Sequence, residues 1–225
     1  MTDSLILCIL APFAATLIAP TVARFTGARA GWVLALVPAA VFVTFLRLLP
    51  IEPGTAHTVV FDWAPAVGIQ LAFLADGLSI TFVLLISGIG ALVVAYASAY
   101  LGKDPRLGRF YIFLLTFMGA MLGLVLADNL ITLFVFWELT SISSYLLIGF
   151  DHEKASARAA ALKALLITGA GGLALLAGLI LMMIAGEQLG LSVTDAGRLS
   201  ALANVDLRGH DLYLPTIAYT GTEFG

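Results

Sequence analysis

The sequence predicts an all-α, polytopic membrane protein with about six transmembrane helices and a short β-hairpin on its outer face. Of its 225 residues 61% are hydrophobic and 11% charged, whereas an ordinary soluble domain carries roughly 25% charged residues. Six apolar stretches approach the ~20 residues that a spanning helix needs. The basic residues gather in alternate loops, the pattern that sets orientation in a bilayer.

The first stretch covers about 5–23. It follows Met1-Thr2-Asp3-Ser4, which holds no Lys or Arg, so it reads as a retained helix rather than a secretion signal. Cys8, the single cysteine, lies inside it as a small apolar residue and precludes a disulfide framework. The second stretch, about 31–49, has Arg47 near its end. A segment rich in β-formers, Val59-Val60-Phe61-Asp62-Trp63, then meets the turn Ala64-Pro65-Ala66-Val67-Gly68. Alternation resumes in Ile69, Leu71 and Phe73. This predicts a hairpin over about 59–74, with Trp63 suited to the membrane interface.

Asp76 is placed to cap the third stretch, about 78–101. The fourth, about 110–127, carries the small pair Gly119 and Gly123, and the sixth, about 159–185, carries Gly169, Gly171 and Gly172. Such residues let helices approach closely. The fifth stretch, about 130–150, follows Asp128 and Asn129, both read as capping residues. These runs are too long for barrel strands and lack their alternation. Irregular chain in lipid would leave backbone polar groups unpaired. The chain 1–225 is thus expected to form a single transmembrane domain.

Arg24, Arg29, Lys103, Arg106, Arg109, Lys154, Arg158 and Lys163 share one side, and Arg47, Arg198 and Arg208 fall on the other. Positive loops stay cytoplasmic, which predicts a multi-pass protein of the cell membrane, plasma or inner, with lipid as its main neighbour. The net charge of −3 excludes nucleic acid as an expected partner. No phosphate-binding glycine loop, nucleophile elbow or haem or iron–sulfur cysteine set occurs. His57, His152 and His210 lack ligand partners at useful spacing. Neither a cofactor nor a metal, nor any catalytic residue, is expected.

Glu138 stands out, in Leu133-Phe134-Val135-Phe136-Trp137-Glu138-Leu139-Thr140, near the centre of the fifth stretch. A lone carboxylate at mid-bilayer costs at least about 2.5 kcal/mol. It must be neutral, paired or facing water. Burial disfavours its charged form and a nearby cation favours it, so a group between those two pulls can exchange a proton. Ser141 and Tyr145 share its helix face, and Thr140, Ser143 and Ser144 add hydroxyls. A structural ion pair or hydrogen bond is the alternative role. Lys163, near the start of the sixth stretch, reads equally as a relay group or as a snorkelling lysine.

The run from Asp128 through Phe136-Trp137-Glu138-Leu139-Thr140-Ser141 to Ser144-Tyr145-Leu146-Leu147-Ile148-Gly149-Phe150 resembles one family's fifth helix. That family comprises the large antiporter-like subunits of Mrp-type multisubunit sodium/proton antiporters and of respiratory complex I. Leu74-Ala75-Asp76-Gly77-Leu78-Ser79 and Lys163-Ala164-Leu165-Leu166-Ile167-Thr168 also resemble it, and the similarity covers about 5–218. Glu138-Leu139-Thr140-Ser141 looks more like the large Mrp subunit of type A than like the Glu-Gly-Val-Gly usual in complex I.

The resemblance implies a secondary transporter subunit rather than an enzyme. Its implied partners are other antiporter subunits in a hetero-oligomer, protons and Na+. It implies that Glu138 is a proton-path residue, paired in the family with a lysine on a seventh helix. Lys163 matches a family lysine at the start of helix six. Beyond His210-Asp211-Leu212-Tyr213-Leu214-Pro215, which resembles the lead-in to helix seven, the tail 219–225 is too short and polar to span. The chain is therefore expected to be an N-terminal or truncated part of a longer fold. The alternatives are a proton-translocating subunit of complex I or a membrane hydrogenase, and an inactive fragment.

Overall fold

Apolar helices carry most of the chain among the residues that the computed structural model describes, which are 2–49, 57–64, 69–102 and 104–202. Helix α1 (Thr2–Thr26) leads into a 3-10 turn, Gly27–Arg29. Gly27 there takes φ +52°, a left-handed conformation that glycine enters without a side-chain clash. The chain reverses into α2 (Ala30–Leu34) and α3 (Leu36–Leu46). Packing shows the reversal, since Leu5, Cys8 and Ile9 at the start of α1 share a core with Val41 and Phe45 near the end of α3. Four long helices follow: α4 (Gly77–Leu101), α5 (Leu107–Val125), α6 (Leu130–Ile148) and α7 (Ala155–Gln188). The short α8 (Val193–Ala196) and α9 (Leu199–Leu202) come last.

Among the described residues, five helical stretches are long and apolar enough to cross a membrane, the first being Leu5–Leu46. That first stretch contains the reversal at Gly27, so it supplies two antiparallel legs.

The helix limits differ from the sequence expectation for identifiable reasons. The second leg breaks at Ala35 because Pro38 has no N–H to give to the Leu34 carbonyl. The fourth stretch runs over Leu107–Val125 rather than 110–127, since Ala127 bridges to Phe73 of the hairpin. The fifth ends at Ile148, with Gly149 as its C-cap. The sixth is longer than expected, Ala155–Gln188. Its charged ends, Arg158 and Glu187, are tolerated where a helix leaves the apolar layer.

Strands β1 (His57–Ala64) and β2 (Ile69–Ala75) pair antiparallel, with Val59 opposite Phe73 and Phe61 opposite Leu71. His57, expected in a loop, opens β1. The turn at 65–68, Lys103, and everything from 203 onward, including Arg208, His210 and the tail, lie outside the described residues. The hairpin is bonded to the helix ends. Leu74 N donates to Leu126 O at 2.7 Å and Asp128 N to Ala72 O at 2.8 Å. Asp76 caps α4 as expected: its carboxylate accepts from Ser79 N at 2.8 Å, and Ser79 Oγ accepts from Asp76 N at 2.8 Å.

Two cores lie along the bundle. The one at the hairpin end joins Leu5, Ile9, Phe45, Val59, Phe73, Ile80 and Leu122. The other, toward the basic loops, joins Ala19, Ala30, Leu34, Val94, Tyr111 and Leu115. A buried polar knot pins the second core. Gly31 N, an orphan donor in the first turn of α2, donates to Ser98 Oγ at 2.6 Å, and Ser98 Oγ meets Tyr111 Oη at 2.9 Å.

Candidate functional site

Helix α6 has 19 residues, which at about 1.5 Å per residue is roughly the ~30 Å of a bilayer's hydrocarbon core. Glu138 sits near its midpoint. Asn129 starts the helix, accepting from Ile131 N at 2.8 Å and Thr132 N at 3.2 Å. Asp128 does not cap it, contrary to the sequence reading. Its carboxylate instead accepts from Arg198 Nη2 at 2.9 Å, Ser200 N at 2.8 Å and Ser200 Oγ at 2.8 Å. The chain beyond α7 is thus strapped across the α5–α6 turn, helped by Leu130 N to Gly197 O and Leu199 N to Asp128 O.

The Glu138 side chain points at α7. Its Oε1 lies where a Cβ at Gly172 would stand, so only glycine leaves room for it. That oxygen is buried and has no hydrogen-bond partner among the described residues. A buried, unbonded polar atom costs about 1–3 kcal/mol in proteins, and more when charged.

The neighbouring hydroxyls do not supply a donor. Thr140 Oγ1 donates to Trp137 O at 2.6 Å, Ser141 Oγ to Trp137 O at 3.3 Å and Ser143 Oγ to Leu139 O at 2.7 Å. The hydroxyls of Thr140, Ser141 and Ser143 are therefore satisfied within their own helix. Ser141 is buried beside the site and Tyr145 is half-buried. At about 100° per residue, Glu138, Tyr145 and Gly149 form one stripe facing α7. Ala161 meets the Gly149 end of that seam, its Cβ 3.2 Å from where a Cβ on Gly149 would stand, and Gly172 meets the Glu138 end.

Lys163 lies elsewhere. It is exposed, and its position is about half a helical turn away from both Ala161 and Gly172, on the face of α7 opposite α6. It is the ninth residue of α7, deeper than the single turn read from sequence. The structure does not bring it to Glu138. Among the described residues no group of three or more His, Cys, Asp or Glu could hold a metal ion.

At the basic end Arg106 pairs with Asp104 at 2.9 Å and with Asp151 at 3.2 Å, and Lys154 pairs with Asp151 at 2.7 Å. Hydrogen bonds from Arg106 hold the Asp104 carboxyl below its ordinary range. Bonds from Lys154, then Arg106, do the same for Asp151. Arg109 donates to Phe150 O at 3.1 Å and contacts His152 Nδ1 at 3.2 Å.

A bundle of long apolar helices with a small two-stranded sheet defines a polytopic helical membrane protein. Two family models match: "NADH-Ubiquinone oxidoreductase (complex I), chain 5 N-terminus" over 63–111, and "NADH:quinone oxidoreductase/Mrp antiporter, TM" over 127–204. The chain belongs to this antiporter-like family and matches the N-terminal part of its large, A-type Mrp members. It is 47% identical over 187 residues to the A1 subunit of the Na+/H+ antiporter of Staphylococcus haemolyticus, covering 82% of this chain and 23% of that relative. The Staphylococcus aureus A1 subunit is 45% identical over 180 residues, covering 79% and 22%. The chain thus spans under a quarter of the length of these relatives. The solved Mrp complex from Dietzia sp. matches with TM-score 0.72 and 36% identity, over 81% of this chain and 20% of that one. An archaeal membrane-bound sulfane sulfur reductase shares the fold at TM-score 0.65 and 19% identity, over 84% of this chain and 28% of that one.

Sequence reasoning singled out Glu138 as a candidate but did not say what it packs against. The glycines of α7 were visible, yet nothing local says which of them faces the acid.

Proposed function

We propose that this chain is the N-terminal part of a sodium/proton antiporter subunit of Mrp type, working in the cell membrane among other antiporter subunits, and that Glu138 is a station on its proton path. The observation that supports this most is the buried, unbonded Oε1 of Glu138 packed on Gly172. Burial disfavours a charged carboxylate and an approaching cation favours it. Movement of that cation would then couple to release of the proton. Tyr145 and Ser141 shape the approach to the acid from the basic end, which is the cytoplasmic end on the positive-inside rule. Lys163, on the free face of α7, is the group best placed to meet a neighbouring helix and relay charge to it.

The A1 names of relatives at 45–47% identity favour this reading over a complex I or hydrogenase component. The activity is that of a transporter rather than a catalytic enzyme. The test is sodium-dependent proton flux in everted vesicles that carry the assembled antiporter. Glu138→Ala and Glu138→Gln are expected to lower coupled flux at least about tenfold, the effect of ~1.4 kcal/mol on a rate-limiting step. Unchanged coupled flux in both variants would remove Glu138 from the path. Flux indistinguishable from vesicles lacking the chain would favour an inactive fragment.

A further inference from the structure

Four cations crowd the basic end close to α5, α6 and α7, and the acids do not neutralise them evenly. Arg106 and Lys154 are paired with Asp104 and Asp151. Arg109 and Arg158 have no carboxylate partner among the described residues. Arg158 Nη1 donates only to carbonyls, to His152 O at 2.6 Å and Glu153 O at 3.0 Å. Arg109 gives Nη2 to Phe150 O and the His152 ring, and its Nε is buried without an acceptor. The Phe150 ring centroid lies 5.4 Å from the Arg109 guanidinium carbon.

These two uncompensated arginines line one cavity of about 380 Å³, together with His152, Tyr145, Phe113 and Leu162. No Asp or Glu lines it. Its lining joins the two guanidinium groups to apolar side chains of α5, α6 and α7. The first turns of α5 and α7 bring their positive dipole ends to the same cavity. The volume lies in the ordinary range for a small-molecule site, about 300–1,000 Å³.

We infer that this cavity binds the phosphate of an anionic phospholipid, with Arg109 and Arg158 on the headgroup and an acyl chain lying along Phe113 and Leu162. A guanidinium gives a phosphate two parallel N–H donors, and neither Arg109 nor Arg158 spends its charge on a carboxylate among the described residues. The apolar part of the lining is what separates a lipid from free phosphate, which would gain nothing there. Basic pockets between transmembrane helices hold acidic headgroups in this way.

The test is native mass spectrometry of the 225-residue chain released from nanodiscs made of equal phosphatidylglycerol and phosphatidylcholine. The parent chain is expected to retain phosphatidylglycerol in excess. Arg109→Gln and Arg158→Gln are each expected to reduce that excess about fivefold, the factor set by roughly 1 kcal/mol per surface cation. Arg158→Lys should restore part of it. Arg29→Gln, an exposed cation outside the cavity, should lower it less than either. Circular dichroism checks that each variant is folded, and the Arg158 arm stands even where loss of the Arg109 bond to Phe150 harms folding. The inference is overturned by equal retention of the two lipids in the parent chain. It is overturned equally where Arg158→Gln matches Arg29→Gln, or where inorganic phosphate alone displaces the retained lipid.

Discussion

Gly172→Ala tests the seat of Glu138 directly. A Cβ at position 172 meets Glu138 Oε1, whereas Cβ atoms built at Gly169, Gly171 and Gly178 of the same helix meet nothing within 4 Å. Glycine inside a helix costs about 0.5–1 kcal/mol relative to alanine. Alanine at 169, 171 or 178 is therefore expected to stabilise the protein by that amount. At 172 the same gain is opposed by overpacking, typically ~1–3 kcal/mol. The low end applies, because the obstructing atom is the tip of a flexible side chain that can rotate aside. A separation of about 1 kcal/mol between Gly172→Ala and the other three follows, or about 2–4 °C in midpoint for a chain of this size. Tryptophan fluorescence melts of the purified chain read it. The double variant Glu138→Ala/Gly172→Ala sharpens the test. With the carboxyl group gone, alanine at 172 should stabilise as it does at 171, giving a coupling energy that distant residues lack. Should Gly172→Ala raise the midpoint in the parent background as the other three do, Glu138 does not rest on α7 and the proposed site is misplaced.

The strap at the hairpin end gives a second prediction. Arg198→Ala leaves Asp128, only 1% exposed, with Ser200 as its remaining donor. Breaking a buried pair costs about 3–5 kcal/mol, and the low end is expected because the Arg198 side chain is 26% exposed. Limited proteolysis within 189–202 should accelerate accordingly, and a cleavage rate equal to that of the parent chain would show the strap to be idle. A third prediction concerns acid. Asp76, Asp104 and Asp151 are all held below the ordinary carboxylate range, Asp76 mainly by its bond from Ser79 N. Their folded-state values are depressed, so their stabilisation is complete above the unfolded value of about 3.9. It is lost as pH falls through the lower native values. The melting midpoint should thus hold level from neutrality to about pH 5 and drop below about pH 4. A midpoint that declines between about pH 7 and 5 would show that other groups control it.

What the sequence made legible was whatever depends on neighbours along the chain. Length and hydropathy located the helices, alternation located the hairpin, and Asp76 with Ser79 spelled the cap that the structure contains. Glu138 was conspicuous because an acid in an oily run is costly anywhere. The reversal at Gly27, with φ +52°, falls in the gap that the sequence leaves between its first two stretches, where Arg24 and Arg29 interrupt the apolar run. The sequence also overestimated the hydroxyls of α6. Ser141 and Ser143 looked like a polar lining, but a hydroxyl on a helix can return its proton to a carbonyl one turn back, and here it does.

The features that fold alone creates are those joining residues distant in sequence. Asp128 and Arg198 are 70 positions apart and each passes for an ordinary loop residue. Arg106 and Arg109 are near neighbours with the same side chain, yet one is enclosed by Asp104 and Asp151 while the other keeps a buried nitrogen without an acceptor. No count of loop charges separates them. Lys163 makes the converse point. Its resemblance to a family lysine gives it an expected role, but helical periodicity, once Gly172 is known to face Glu138, puts it on the opposite side of α7. A role in proton transfer for Lys163 therefore requires a partner on that free face, and direct exchange with Glu138 is inconsistent with the geometry of this helix pair.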